Sequence, residues 1–165
     1  MDHQLLNHQP RFIVDSNVGR LGKWLRLLGY DTLFIHPIED GALVDIALSE
    51  QRILLTKDTH VLRRRLVTSG QVTALLIEGD GVMEQLRQVA EAFGLDPSSR
   101  RFSRCNECNE PLVAKAREDV RDLVPRYVYE TQSRFTFCPR CGRVFWSGTH
   151  WARMTERLND LLREG

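Results

Sequence analysis

The chain has 165 residues, a net charge of +1, and is 42% hydrophobic and 27% charged. Those proportions describe a globular protein with room for one domain and a small module, and the near-zero charge leaves any nucleic-acid binding to local clusters. No apolar run approaches the roughly 18 residues of a bilayer span, and Met1-Asp2-His3-Gln4 lacks the basic start of a signal peptide, so the expectation is a cytoplasmic protein with no membrane partner.

Residues 1–10 are polar, end in Pro10 and read as a loose leader. Arg11-Phe12-Ile13-Val14-Asp15 is a short β-type apolar run that stops in a carboxylate. Val18, Leu21, Trp24, Leu25 and Leu28 then follow helical spacing, and Gly29 ends the helix. Residues 31–35 supply a second strand, which completes a βαβ unit. Asp40 opens the next helix, which carries Leu43, Ile46 and Ala47. Residues 52–56 form a third strand that again runs into an acid, Asp58. A helix over 59–67, a strand over 72–77 closed by Glu78-Gly79-Asp80, and an amphipathic helix over 82–94 continue the alternation. Strands alternating with helices predict an α/β fold with a parallel sheet flanked by helices.

Polar turn residues from Asp96 to Arg101 mark a boundary, which divides the chain into a sheet domain over 1–99 and a second module over 100–165. The module holds all four cysteines, in the pairs Cys105-Asn106-Glu107-Cys108 and Cys138-Pro139-Arg140-Cys141. Two intervening residues let a tight turn aim both sulfurs at one point, and two such turns complete the tetrahedral thiolate shell of Zn2+. A shell closed by four thiolates leaves no position for substrate, so this zinc is structural. Such cysteines also suit a reducing compartment. Tyr127-Val128-Tyr129 and Val144-Phe145-Trp146 read as strands, and 150–163 as a closing helix.

The chemistry therefore belongs to the sheet, whose ligands gather at the carboxyl ends of the strands. Asp15, Asp58 and Asp80 are predicted there, and Asp40 opens a helix on the same edge. Clustered carboxylates are hard oxygen donors suited to Mg2+ or Mn2+, which drive phosphodiester hydrolysis. Asp is also an ordinary residue of caps and turns, so each acid alone has that second reading. Arg20, Lys23 and Arg26 recur every three residues on the first helix, and Arg63-Arg64-Arg65 follows Asp58. These are either phosphate contacts or solvated helix faces. Arg100, Arg101 and Arg104 lead into the module, whose Phe135, Phe137, Phe145, Trp146 and Trp151 either stack bases or form its core.

Phe12-Ile13-Val14-Asp15, Gly19-Arg20-Leu21-Gly22-Lys23-Trp24-Leu25-Arg26, Leu28-Gly29-Tyr30-Asp31, Ile53-Leu54-Leu55-Thr56-Lys57-Asp58 and the two cysteine pairs stand in a specific order. With Val124-Pro125-Arg126-Tyr127 and Trp146-Ser147-Gly148-Thr149-His150-Trp151, that combination resembles the Mut7-C family, a PIN-like nuclease domain joined to a C-terminal zinc ribbon. The resemblance implies a Mg2+- or Mn2+-dependent ribonuclease in which Asp15, Asp40 and Asp58 hold the catalytic metal and Thr56 lends a supporting hydroxyl. It implies RNA as the partner, with Asp80 and Asn17 in reserve, and Arg20, Lys23 and Arg26, from their spacing, are the expected RNA contacts. The competing expectation is a non-catalytic RNA-binding or adaptor module dominated by the ribbon.

Overall fold

A computed structural model describes residues 9–163, so most of the leader, residues 1–8, lies outside the described residues. Strands β1 (Phe12–Val14), β2 (Thr32–Phe34), β3 (Ile53–Thr56) and β4 (Ala74–Leu76) pair in the order β2-β1-β3-β4, all parallel. The connecting helices are α1 (Gly19–Leu27), α2 (Asp40–Ser49), α3 (Thr59–Leu62), α4 (Arg65–Thr68) and α5 (Val82–Phe93). The α/β architecture expected from the sequence is thus present.

Strand alternation distributes the core over both faces of the sheet. Phe12 and Val14 face Leu21 and Leu25 of α1 and Leu86 and Val89 of α5, whereas Ile13 and Leu54 face Leu43, Val44 and Ala47 of α2. Gly22 lets α1 settle on β1, since a Cβ there would come within 2.8 Å of Val14 Cγ2. At the far end of α1, Gly29 adopts φ +93°, and any side chain would also strike the Arg100 backbone carbonyl. The linker to the second module therefore lies directly over this turn.

The helix expected over 59–67 is broken, because Arg64 is extended (ψ 143°) between α3 and α4. Val61 and Leu66 both pack into the α2-side core. Five positions apart on one continuous helix they would point in different directions, so the break aims both inward.

In the second module, β5 (Val113–Lys115), β6 (Phe135–Phe137) and β7 (Val144–Phe145) form an antiparallel sheet in chain order. The strand expected at Tyr127-Val128-Tyr129 is instead a helix, α6 (Arg126–Thr131). Pro125 precedes its first turn, Arg126 pairs with Glu130 at 2.8 Å, and only Val128 of the three is buried, against Val120 and Phe135. One inward residue flanked by outward ones suits a single helical turn, and these signals outweighed β propensity. The closing helix α7 (Thr149–Arg163) inserts Leu158 and Leu161 into the same cluster as Leu25 and Leu86. The helix grouped with the ribbon on sequence thus completes the core of the sheet domain.

Candidate active site and metal centre

At the carboxyl edge of the sheet, β1 runs into Asp15, whose backbone N–H donates to Leu55 O of the neighbouring β3 at 2.9 Å. Asp15 is 7% exposed. Its Oδ1 accepts Ser16 N at 2.7 Å, and its Oδ2 accepts the Thr56 hydroxyl at 2.7 Å. The same Thr56 Oγ1 accepts the backbone N–H of Asp58 at 2.9 Å. Asn17 ties the two strand ends together: Nδ2 donates to Asp15 Oδ2 at 3.5 Å, and Oδ1 accepts Lys57 N at 3.2 Å. Asp58 caps α3 through Oδ1, which accepts His60 N at 2.8 Å. Asp40 is the first residue of α2, on the side where the chain arrives from the carboxyl end of β2. Asp80, fully exposed, is drawn to Lys57 Nζ at 3.1 Å.

The three cations of α1 have separate fates. Arg20 is exposed and makes no hydrogen bond or ion pair to another described residue. Lys23 pairs with Glu107 at 3.0 Å and, with Arg143, holds that carboxyl below its usual range. Arg26 is buried, and its guanidinium is spent on backbone carbonyls: Nε donates to Thr32 O at 2.8 Å, and one terminal nitrogen donates to Asn106 O and Glu107 O at 3.0 Å each. Burial lowers its pKa, while Cys105, Glu107 and Cys108 act in the opposite direction. Although placed among the RNA contacts on sequence, Arg26 fastens the first cysteine turn to the sheet domain. Arg63, Arg64 and Arg65 are exposed, and the Arg64 guanidinium lies beside Gly41, next to Asp40.

The ligand atoms of Cys105, Cys108, Cys138 and Cys141 all lie within 4.8 Å of one another. Among the described residues no other group of three or more His, Cys, Asp or Glu gathers so tightly; the three acids share an edge rather than a point. Cys105 Sγ and Cys141 Sγ are 3.8 Å apart. Zn–S bonds of about 2.3 Å in a tetrahedron require an S···S edge of about 3.8 Å, so the four thiols fit Zn2+. Burial and the neighbouring Cys141 and Cys105 push the Cys108 thiol up to about 12, whereas a hydrogen bond from the Arg143 backbone brings Cys141 down to about 7. Metal binding must deprotonate these thiols, which couples it to pH.

The two turns are built alike. Asn109 N donates to Cys105 O and Gly142 N to Cys138 O, each at 2.9 Å, and both residues are left-handed, at φ 68° and φ 77°. Gly142 was legible as a turn residue; Asn109 was not, although Asn is the other residue that tolerates this conformation. Its side chain docks the module, since Oδ1 accepts Thr32 N at 2.9 Å on β2 and Nδ2 donates to Asp31 Oδ1 at 2.7 Å. Asp31 in turn grips buried Arg52 at 2.7 Å.

The model of the Mut7-C RNAse domain matches residues 10–158, across both the acid edge and the cysteine centre. The chain belongs to the Mut7-C family. No curated protein and no solved structure matches it. Membership brings a ribonuclease-type domain, and with it the acid edge of the Mut7-C chain becomes the candidate site. No helix among its described residues is long and apolar enough to cross a membrane.

Proposed function

We propose that the chain hydrolyses RNA phosphodiester bonds at the carboxyl edge of its parallel sheet, with Mg2+ or Mn2+ held by Asp15, Asp40 and Asp58. The observation that carries this reading is the Asp15–Thr56–Asp58 linkage. One hydroxyl orients a nearly buried carboxylate and fixes the backbone that presents a second. Two of the donors on Asp15 are long, Ser16 Oγ at 3.4 Å and Asn17 Nδ2 at 3.5 Å, and a cation would displace these first, while Asp58 keeps Oδ2 beyond its cap. Hard oxygens of this kind suit a cation that retains several waters. The bound cation would polarise a phosphoryl oxygen and lower the pKa of a water.

The chain's own part is to orient and to neutralise. Thr56 and Asn17 hold the carboxylates, and Ser16 N prevents Asp15 from turning away. Arg20 and Lys23 on α1, with Arg64 beside the start of α2, supply charge for phosphates around the acids. Zinc in the ribbon is structural, and the ribbon adds to the grip on RNA. A reducing cytoplasm suits such a thiolate centre.

The test is cleavage of a labelled single-stranded RNA with Mn2+ by the zinc-loaded chain and by an Asp15→Asn/Asp58→Asn variant. The variant is expected to lose at least about a hundredfold in rate, the scale on which displaced catalytic groups act. Equal rates would refute the acid site, and RNA binding without cleavage by either protein would favour the adaptor.

A further inference from the structure

A cavity of about 470 Å³ opens where the ribbon meets the linker and α7. That size falls within the roughly 300–1,000 Å³ of small-molecule sites. Its walls include Phe102, Tyr127, Phe145, Trp146 and Trp151, with Arg104, Arg134 and His150 among them. Among the described residues no Asp or Glu lines it. Phe102 and Trp151 lie with ring centroids 4.7 Å apart, and the Trp146 indole edge fits against Gly148, where a Cβ would come within 3.0 Å of Nε1. Tyr127 is 68% exposed, and Arg134 is exposed with no hydrogen bond or ion pair to another described residue. The ribbon's small core closes around Val120, Val128 and Phe135 without burying Tyr127.

Helix α1 connects this cavity to the acid edge. Gly19 begins it just after Asp15, and Leu27, its last residue, lines the cavity. Nine residues of α-helix span about 13 Å, a distance a few nucleotides cover. Arg20, Lys23 and Leu27 fall on one face of that helix by spacing, with Arg20 open and Lys23 sharing its charge with Glu107.

We propose that this cavity holds an unpaired base of single-stranded RNA, stacked on the ribbon's aromatic rings, with Arg134 and Arg104 beside the flanking phosphates. The strand then follows α1 to the acids. This rests on the ribonuclease reading and adds a substrate class to it. An A-form duplex keeps its bases stacked within the helix and cannot fill an aromatic cavity, whereas a splayed base can. Because every base has a π face, such a site accepts many sequences. Cations without a single carboxylate favour a polyanion over a peptide.

The experiment measures tryptophan fluorescence and anisotropy of the zinc-loaded full chain with a labelled single-stranded RNA, without added Mg2+ or Mn2+. Single strands are expected to quench the indoles, and a blunt duplex of equal length is not. Trp146→Ala and Tyr127→Ala should each weaken binding about tenfold, the scale of one lost base–aromatic stack. Tyr127 is exposed, so its variant keeps the fold even where Trp146→Ala does not. Arg134→Gln should weaken binding and flatten its salt dependence. Unchanged affinity in Tyr127→Ala and Arg134→Gln would overturn the proposal, as would equal quenching by duplex or displacement by an apolar peptide. Product formation with Mn2+ is a separate readout: quenching without cleavage refutes the nuclease reading and leaves the cavity, and cleavage without quenching does the reverse.

Discussion

Thr56 Oγ1 donates to Asp15 Oδ2 at 2.7 Å, joining the ends of two adjacent parallel strands through one buried hydroxyl. Because that oxygen also accepts Asp58 N at 2.9 Å, Thr56 sets the position of both acids while holding none of the charge.

Thr56→Val removes the hydroxyl but keeps the shape. It leaves the Asp15 carboxylate short of a donor and the Asp58 N–H without an acceptor, at a cost of about 1–3 kcal/mol. Cleavage with Mn2+ should fall by at least about tenfold, since small displacements of reacting groups are costly. Thr56→Ser should restore most of the cleavage while losing about 1 kcal/mol of stability with the buried methyl. Urea midpoints beside cleavage rates check this; if Thr56→Val cleaves like the parent, the linkage has no catalytic role.

Arg26→Met strips the donor from Thr32 O, Asn106 O and Glu107 O. The expected loss is about 3 kcal/mol, with faster release of zinc to a chelator, because the first cysteine turn loses its anchor. Arg26→Lys should not rescue it, since one ammonium cannot reproduce the planar fork. Arg126→Met, at an exposed pair with Glu130, should change stability by less than about 0.5 kcal/mol. Denaturation curves and a colorimetric zinc-release assay separate the two arginines, and equal behaviour would refute the anchoring role.

Asp31 governs an acid limb of stability. Burial alone would raise its pKa, but hydrogen bonds from Arg52 and Asn109 outweigh that and hold it below the ordinary carboxylate value. A folded pKa below the unfolded one stabilises the protein above the unfolded value, about 4. That contribution is lost as pH falls through the folded pKa. Tm should therefore drop as pH falls below about 4, and Asp31→Asn should flatten this limb. Parallel Tm–pH curves for parent and variant would show that the pair contributes nothing.

The α/β alternation, the four-cysteine cluster and the acids at strand ends were legible because each rests on local spacing: period two, period 3.6, two residues between thiols, a carboxylate after an apolar run. Tyr127-Val128-Tyr129 misled because β propensity reports packing that a short helical turn around Val128 can also satisfy. The break at Arg64 had no local signal, since it answers to the inward aim of Val61 and Leu66 together.

Arg20, Lys23 and Arg26 are equivalent by spacing, each three residues from the next on one helix. Their difference arises from what the folded chain brings to each. The acid edge leaves Arg20 open, Glu107 meets Lys23, and the first cysteine turn closes over Arg26 with two carbonyls while Thr32 O of β2 takes the third bond. A residue's own pattern sets its chemistry and its local backbone. Its availability depends on desolvation and on partners some eighty positions away, which only the packing of the ribbon on the sheet domain decides.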